Sequence, residues 1–162
     1  MRNVTNKLGQ YFLLIILLGL LACTDEMVSV SKTTGFVKLD VYKNPSCECC
    51  GRWINYIDKN GFKGTVHHPV NLATVKQKYS IAPQYQSCHT AVTKEGYIFE
   101  GHVPADVMQR FMREKPVGAL GLAVPGMPIG SPGMEMGDRT DDYDVLLLNK
   151  DGSSQVYERI RH

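Results

Sequence analysis

The 162 residues carry 18 basic and 16 acidic side chains, a formal net charge of +2. A charge this balanced leaves no electrostatic footprint for nucleic acid, and no internal repeat or heptad run suggests a solenoid or coiled coil. The length suits one domain of ordinary size, and the four cysteines beyond residue 23, an even count, would ordinarily suggest structural disulfides.

The chain opens with Arg2 and Lys7, then an apolar run from Tyr11 to Leu21, then Ala22 and Cys23. A basic start, a core of about 11 apolar residues and a small residue before the cut form a signal peptide, too short for the roughly 20 residues of a membrane span. Leu20-Leu21-Ala22-Cys23 resembles the bacterial lipobox, which predicts residues 1–22 as a lipoprotein signal and Cys23 as the lipidated first residue of the mature chain. Thr24 is not the aspartate that usually retains lipoproteins in the inner membrane, which points to the outer membrane of a Gram-negative cell, facing the periplasm. Residues 23–35 are polar and Ser/Thr-rich, as a tether would be, and residues 36–162 form the domain.

Phe36 to Tyr42 alternates as a strand, and Asn44-Pro45-Ser46 breaks it, with Ser46 as the expected helix cap. A helix over Gly51–Asn60 buries Trp53, Ile54 and Ile57, and Gly61 stops it. Phe62–His68 is a second strand. Asn71 caps a second helix with Leu72, Val75 and Tyr79 on one face, ended at Ala82-Pro83. Thr90–Thr93 and Tyr97–Val103 make a hairpin around Lys94-Glu95-Gly96. Pro104 opens a third helix with Val107, Met108, Phe111 and Met112 inward, ended at Pro116. The resulting β-α-β-α-β-β-α order defines a mixed α/β (α+β), thioredoxin-like core. Leu120–Gly137 then reads as a long Gly/Pro/Met-rich loop, and Tyr143–Leu148 with Gln155–Ile160 as a C-terminal β-hairpin.

With Cys23 lipidated, the remaining four cysteines are Cys47, Cys49, Cys50 and Cys88. Cys47 and Cys50 have the C-x-x-C spacing of a dithiol, placed where a helix N-terminus would stabilise a thiolate. Cys49 is unusual. On a regular helix it points about 200° from Cys47, so the three sulfurs converge only in a turn preceding the helix. Cys88 lies in the loop entering the third strand, where thioredoxin-like proteins usually carry a cis-proline, and His89 follows it. Four sulfurs in a small volume suit soft metals, Cu(I) before zinc, because structural zinc usually takes two separated cysteine pairs. A metal-free redox dithiol, a zinc site and structural disulfides are the alternatives. Met127, Met134 and Met136 fall in a loop with little core to fill, so thioether ligation is expected first of Met134; Met108 and Met112 are core. His67 and His68 end the second strand and His102 the fourth; His89 and His102 lie nearest the cysteines.

The stretches Val41-Tyr42-Lys43 through Cys47-Glu48-Cys49-Cys50-Gly51-Arg52-Trp53, Ser87-Cys88-His89-Thr90-Ala91, Glu100-Gly101-His102-Val103-Pro104, Gly121 to Glu135 and Tyr143 to Leu147 resemble the CopG-type family. These are small exported bacterial proteins encoded with copper-resistance systems and long catalogued as a domain of unknown function. The resemblance covers roughly residues 38–160. It implies a thioredoxin-like fold and copper handling in the periplasm, with Cys47, Cys49, Cys50 and Cys88 as copper-binding thiolates. The family's recurrent histidines and methionines match His89, His102, Met127 and Met134. Glu48 departs from the family's usual glycine, adding a negative charge that favours a bound cation and makes the free thiols less acidic. The expected function is Cu(I) binding by a lipid-anchored protein, through sequestration, delivery to an efflux or chaperone partner, or copper redox conversion. A thiol–disulfide oxidoreductase using Cys47 and Cys50 is the second expectation, and a structural disulfide domain acting as an interaction module the third.

Overall fold

A computed structural model describes residues 35–162; the expected signal peptide, Cys23 and nearly all of the tether lie outside the described residues. Strand β1 (Val37–Lys43) alternates as its sequence demands, with Leu39 and Val41 inward. Helix α1 (Glu48–Asp58) buries Cys50, Trp53, Ile54 and Ile57, the spacing that lines one helical face. Strand β2 (Phe62–His67) runs parallel to β1, in register from Val37 opposite Phe62 to Tyr42 opposite His67. Helix α2 (Leu72–Lys78) is capped by Asn71, whose Oδ1 accepts from Ala73 N at 2.9 Å. Strands β3 (His89–Thr93) and β4 (Ile98–Glu100) form the expected hairpin, and β3 lies antiparallel to β1. Helix α3 (Ala105–Glu114) then buries Ala105, Val107, Met108 and Phe111.

The β-α-β-α-β-β-α order is found, in a mixed α+β fold with three helices among the described residues. Four local expectations are corrected. The helix begins at Glu48 rather than Gly51, and Cys47, not Ser46, is its cap. Ser46 instead closes an Asx turn, its N–H 3.0 Å from Asn44 Oδ1. The fourth strand stops at Glu100, because Gly101 takes φ +74° and a Cβ there would lie 2.5 Å from Val124 O. His102 therefore sits in the turn after β4. On α2, Leu72, Val75 and Tyr79 are only half-buried, and the buried residue is Lys76.

The larger correction concerns the region after α3. Residues 120–123, which the Gly/Pro/Met-rich pattern assigns to the start of the long loop, instead belong to strand β5 (Ala119–Ala123). It pairs parallel with β4 and antiparallel with β6 (Tyr143–Asn149), which pairs in turn with β7 (Ser154–Ile160). The C-terminal hairpin is thus part of one seven-stranded sheet, ordered β2-β1-β3-β4-β5-β6-β7. Small residues disguised β5: Ala, Leu, Gly, Leu, Ala has low strand propensity, yet the crowded sheet centre demands it. Trp53, Ile57, Phe62, Phe99, Phe111, Leu122 and Val145 join one core beneath α1 and α3. Ile81, Val92, Ile98, Ala123 and Leu148 form a smaller one on the opposite face, as strand alternation requires.

Candidate metal centre

Cys47 caps α1 from an extended backbone, φ −76° and ψ 95°, and its Sγ accepts from Cys50 N at 3.4 Å. That extended residue resolves the expected divergence of the sulfurs. Cys49 and Cys50 are helical, but Cys47 is not, so the 100° rotation per residue does not apply across the cap. Cys47 Sγ and Cys49 Sγ lie 3.5 Å apart. The ligand atoms of Cys47, Cys49, Cys50 and Cys88 all fall within 4.8 Å of one another. Cys47 and Cys50 are joined as a disulfide here, and Cys49 and Cys88 are free thiols. A four-thiolate site therefore needs two-electron reduction of that bond.

Cys88 arrives from the other side, just before β3, with no cis peptide among the described residues. Its Sγ stands 3.1 Å from His102 Nε2 and 3.4 Å from His89 Nδ1. His102 Nδ1 donates to Pro132 O at 2.7 Å, which fixes the tautomer and leaves the Nε2 lone pair directed at Cys88. Cys50, Cys88, His89 and His102 form a second group with ligand atoms within 4.8 Å, sharing two cysteines with the first. His89 is completely buried between Trp53 (ring centroids 4.3 Å) and His102 (5.1 Å), and its Nε2 has no hydrogen-bond partner. Trp53 in turn donates to Val103 O at 2.9 Å, tying α1 to the turn that carries His102.

The electrostatics suit a cation. Burial, followed by repulsion from Cys49, pushes the Cys88 thiol up to about 12. Burial, then the charges of His102, Lys76 and Lys43, holds His89 well below the ordinary histidine value. Burial also lowers His102, against the bond to Pro132. Both imidazoles are therefore neutral at pH 7, the form that ligates metal. Crowded thiols resist ionisation until a soft cation offsets the charge, and then lose their protons to solvent as it binds.

The Gly/Pro/Met-rich loop rests on the first turns of α1 through Gly133. Gly133 has φ +85°, and a Cβ there would fall 2.8 Å from Cys49 O and 2.7 Å from Trp53 N. Arg52 Nε donates to Gly133 O at 2.9 Å. Met134, next in the chain, is half-buried, whereas Met127 and Met136 are 53% and 51% exposed. His67 pairs with Asp40 at 2.7 Å, and His68 Nδ1 lies 3.2 Å from Lys43 O; neither belongs to the cluster. Sequence reasoning missed Pro132 and Trp53 as supports of the imidazoles. The only signals were the Pro-Gly pair beside Met134 and an aromatic three residues after Cys50.

Fold and cluster together define a small α+β protein with a cysteine–histidine centre of metal-ligating chemistry. A family model described as "Protein of unknown function, DUF411" matches residues 85–134. A solved structure titled "Copper resistance protein copG- Form 1" is 40% identical with TM-score 0.73, covering 78% of this chain and 98% of that one. The corresponding "Form 2" structure is 39% identical with TM-score 0.73, covering 78% and 99%. No curated protein sequence matches the chain. The chain belongs to the CopG family.

Proposed function

We propose that this protein binds Cu(I) through Cys47, Cys49, Cys50 and Cys88, assisted by His89 and His102, and contributes to copper resistance. The observation that carries this reading is the convergence of four sulfurs within 4.8 Å beside a His102 Nε2 oriented towards Cys88. Thiolates and neutral imidazoles are the donors that select Cu(I) over harder ions. The solved relatives are titled copper resistance proteins, and membership of their family supports the same role. Met134, half-buried and next in the chain to the Gly133 that rests on Cys49, and Met127, exposed in the same loop, are the thioethers this reading adds to the donor set. Lipidation at Cys23 holds the domain in the periplasm at the outer membrane, where it sequesters copper, passes it to an efflux or chaperone partner, or interconverts its oxidation states.

The test begins with a soluble form starting at Thr24, reduced anaerobically and titrated with Cu(I) while free thiols are counted. The expected result is uptake of at least one copper per chain, weakened in Cys49→Ser and Cys88→Ser. Binding unchanged in both variants overturns the cluster. Incorporation of labelled palmitate, lost in Cys23→Ser, tests the anchor.

A second reading, thiol–disulfide oxidoreductase, is favoured by the Cys47–Cys50 disulfide at the start of α1. Turnover of a disulfide substrate by metal-free protein, abolished in Cys50→Ser, supports it; no turnover removes it.

A further inference from the structure

Beside the cluster lies a buried ion pair that metal ligation does not use. Glu100, Lys76 and Thr90 come from β4, α2 and β3, and are 0%, 4% and 0% exposed. Lys76 Nζ pairs with Glu100 Oε1 and donates to Thr90 Oγ1 at 3.1 Å. Thr90 Oγ1 donates to Glu100 Oε2 at 2.6 Å. The carboxylate also accepts the Ser87 backbone N–H on Oε1 at 2.6 Å. That last bond leaves the network and reaches the residue immediately before Cys88.

A buried ion pair stabilises a fold no better, as a rule, than apolar residues of the same volume, because both charges lose their water. Its advantage is geometric. The segment before β3 has a single sheet-like bridge, Ser87 to Gly126, and no proline to stiffen it at Cys88. Ser87 Oγ bonds Gly126 O, and its Cβ packs against Gly101, so the residue is held on two other sides. The charged carboxylate supplies the third, a short charge-assisted bond from a group locked in place by its own partners.

We propose that Glu100, held by Lys76 and Thr90, is a positioning residue that anchors Ser87 and thereby sets Cys88 against Cys50 and His102. The proposal deepens the Cu(I) reading and rests on it for its purpose, but the positioning itself exists in metal-free protein.

Two double variants of the full chain separate position from charge. K76M/E100Q removes both charges and keeps an amide oxygen for Ser87 N–H. K76M/E100L removes both charges and the acceptor. Neither leaves a buried charge unpaired. In reduced, metal-free protein, iodoacetamide alkylation of Cys88 is followed by peptide mass spectrometry. An unsatisfied amide loosens its segment, so the rate rises roughly tenfold in K76M/E100L and stays within about threefold of wild type in K76M/E100Q. Cu(I) competition against bicinchoninate follows the same pattern, weaker in the first and restored in the second. A purely structural role would make the two variants alike in both readouts, and equal Cys88 alkylation in all three proteins overturns the proposal. Should a variant not fold, amide exchange in the wild type decides: Ser87 is expected to be as protected as the β3 amides, and exchange at loop rates refutes the anchor. A wild type that binds no Cu(I) but keeps the alkylation pattern refutes the copper reading alone.

Discussion

Replacing Gly133 with alanine tests whether the Gly/Pro/Met loop is built onto the cysteine helix. The residue has φ +85°, and its added methyl would lie 2.7 Å from Trp53 N, 2.8 Å from Cys49 O and 3.1 Å from Trp53 Cα. All three are backbone atoms of α1 and cannot rotate aside. The left-handed conformation costs a residue with a Cβ about 1–2 kcal/mol, and overpacking adds about 1–3 kcal/mol, so a loop kept in place loses about 2–5 kcal/mol. Two bonds tie the loop to the site, Arg52 Nε to Gly133 O at 2.9 Å and His102 Nδ1 to Pro132 O at 2.7 Å. At about 0.5–1.5 kcal/mol each, they hold it by roughly 1–3 kcal/mol. Undocking is therefore the cheaper response, and His102 loses its partner with it. Urea denaturation of the reduced chain should show a loss of roughly 1–3 kcal/mol, and Cu(I) competition at least about a tenfold loss of affinity. Gly126→Ala is the control, with φ +71° but no atom within 4 Å of its Cβ, so it carries only the backbone cost. Gly133→Ala with stability within about 0.5 kcal/mol of wild type and undiminished affinity would refute the argument, since surface changes alone stay inside that range.

Other outcomes follow from the same geometry. Protein purified without reductant, with Cys47–Cys50 intact, should take up less Cu(I) than reduced protein, because two of four thiolates are withdrawn; equal copper per chain in both states refutes this. His102→Ala leaves Pro132 O without its donor and removes the nitrogen at Cys88. It should weaken Cu(I) binding by roughly tenfold to a hundredfold, the usual effect of disturbing a ligand and its support, as read by chelator competition. The pH dependence has a definite sign. His89 and His102 are held below the value of 6.5 they regain on unfolding, so the unfolded chain binds more protons at acid pH. Their contribution to stability is complete above about pH 6.5 and declines as pH falls through and below it; denaturation midpoints at pH 7.5 and 5.5 check this, and a higher midpoint at pH 5.5 contradicts it. With its thiol pushed up to about 12, Cys88 should alkylate far more slowly at pH 8 than a free thiol in metal-free protein, as mass spectrometry of the Cys88 peptide will show.

How much could be read in advance varies with the range of the interaction involved. Helix α3 and the β3–β4 hairpin follow from local periodicity and from the turn at Lys94-Glu95-Gly96, so both stood in the chain as written. Alternation likewise defined β1, and apolar residues three and four apart defined α1 from Trp53 onward. Strand β5 was not legible, because its small residues answer to neighbours on both sides: a Cβ on Gly121 would fall 2.0 Å from Ile98 O. Lys76 was equally hidden, since nothing near it in the chain announces a buried carboxylate 24 residues away.

The cysteine cluster divides the same way. Residue types and spacing alone marked Cys47, Cys49, Cys50 and Cys88 as candidate soft-metal donors, with a redox dithiol, a zinc site and structural disulfides as the other uses of the same residues. Only the tertiary structure decided how the set closes. An extended cap at Cys47 turns one sulfur back towards two helical ones, a carbonyl at Pro132 orients His102, and a bare glycine lets the loop rest on Cys49. Those outcomes depend on atoms distant in sequence meeting at hydrogen-bond and van der Waals range, which no local pattern encodes.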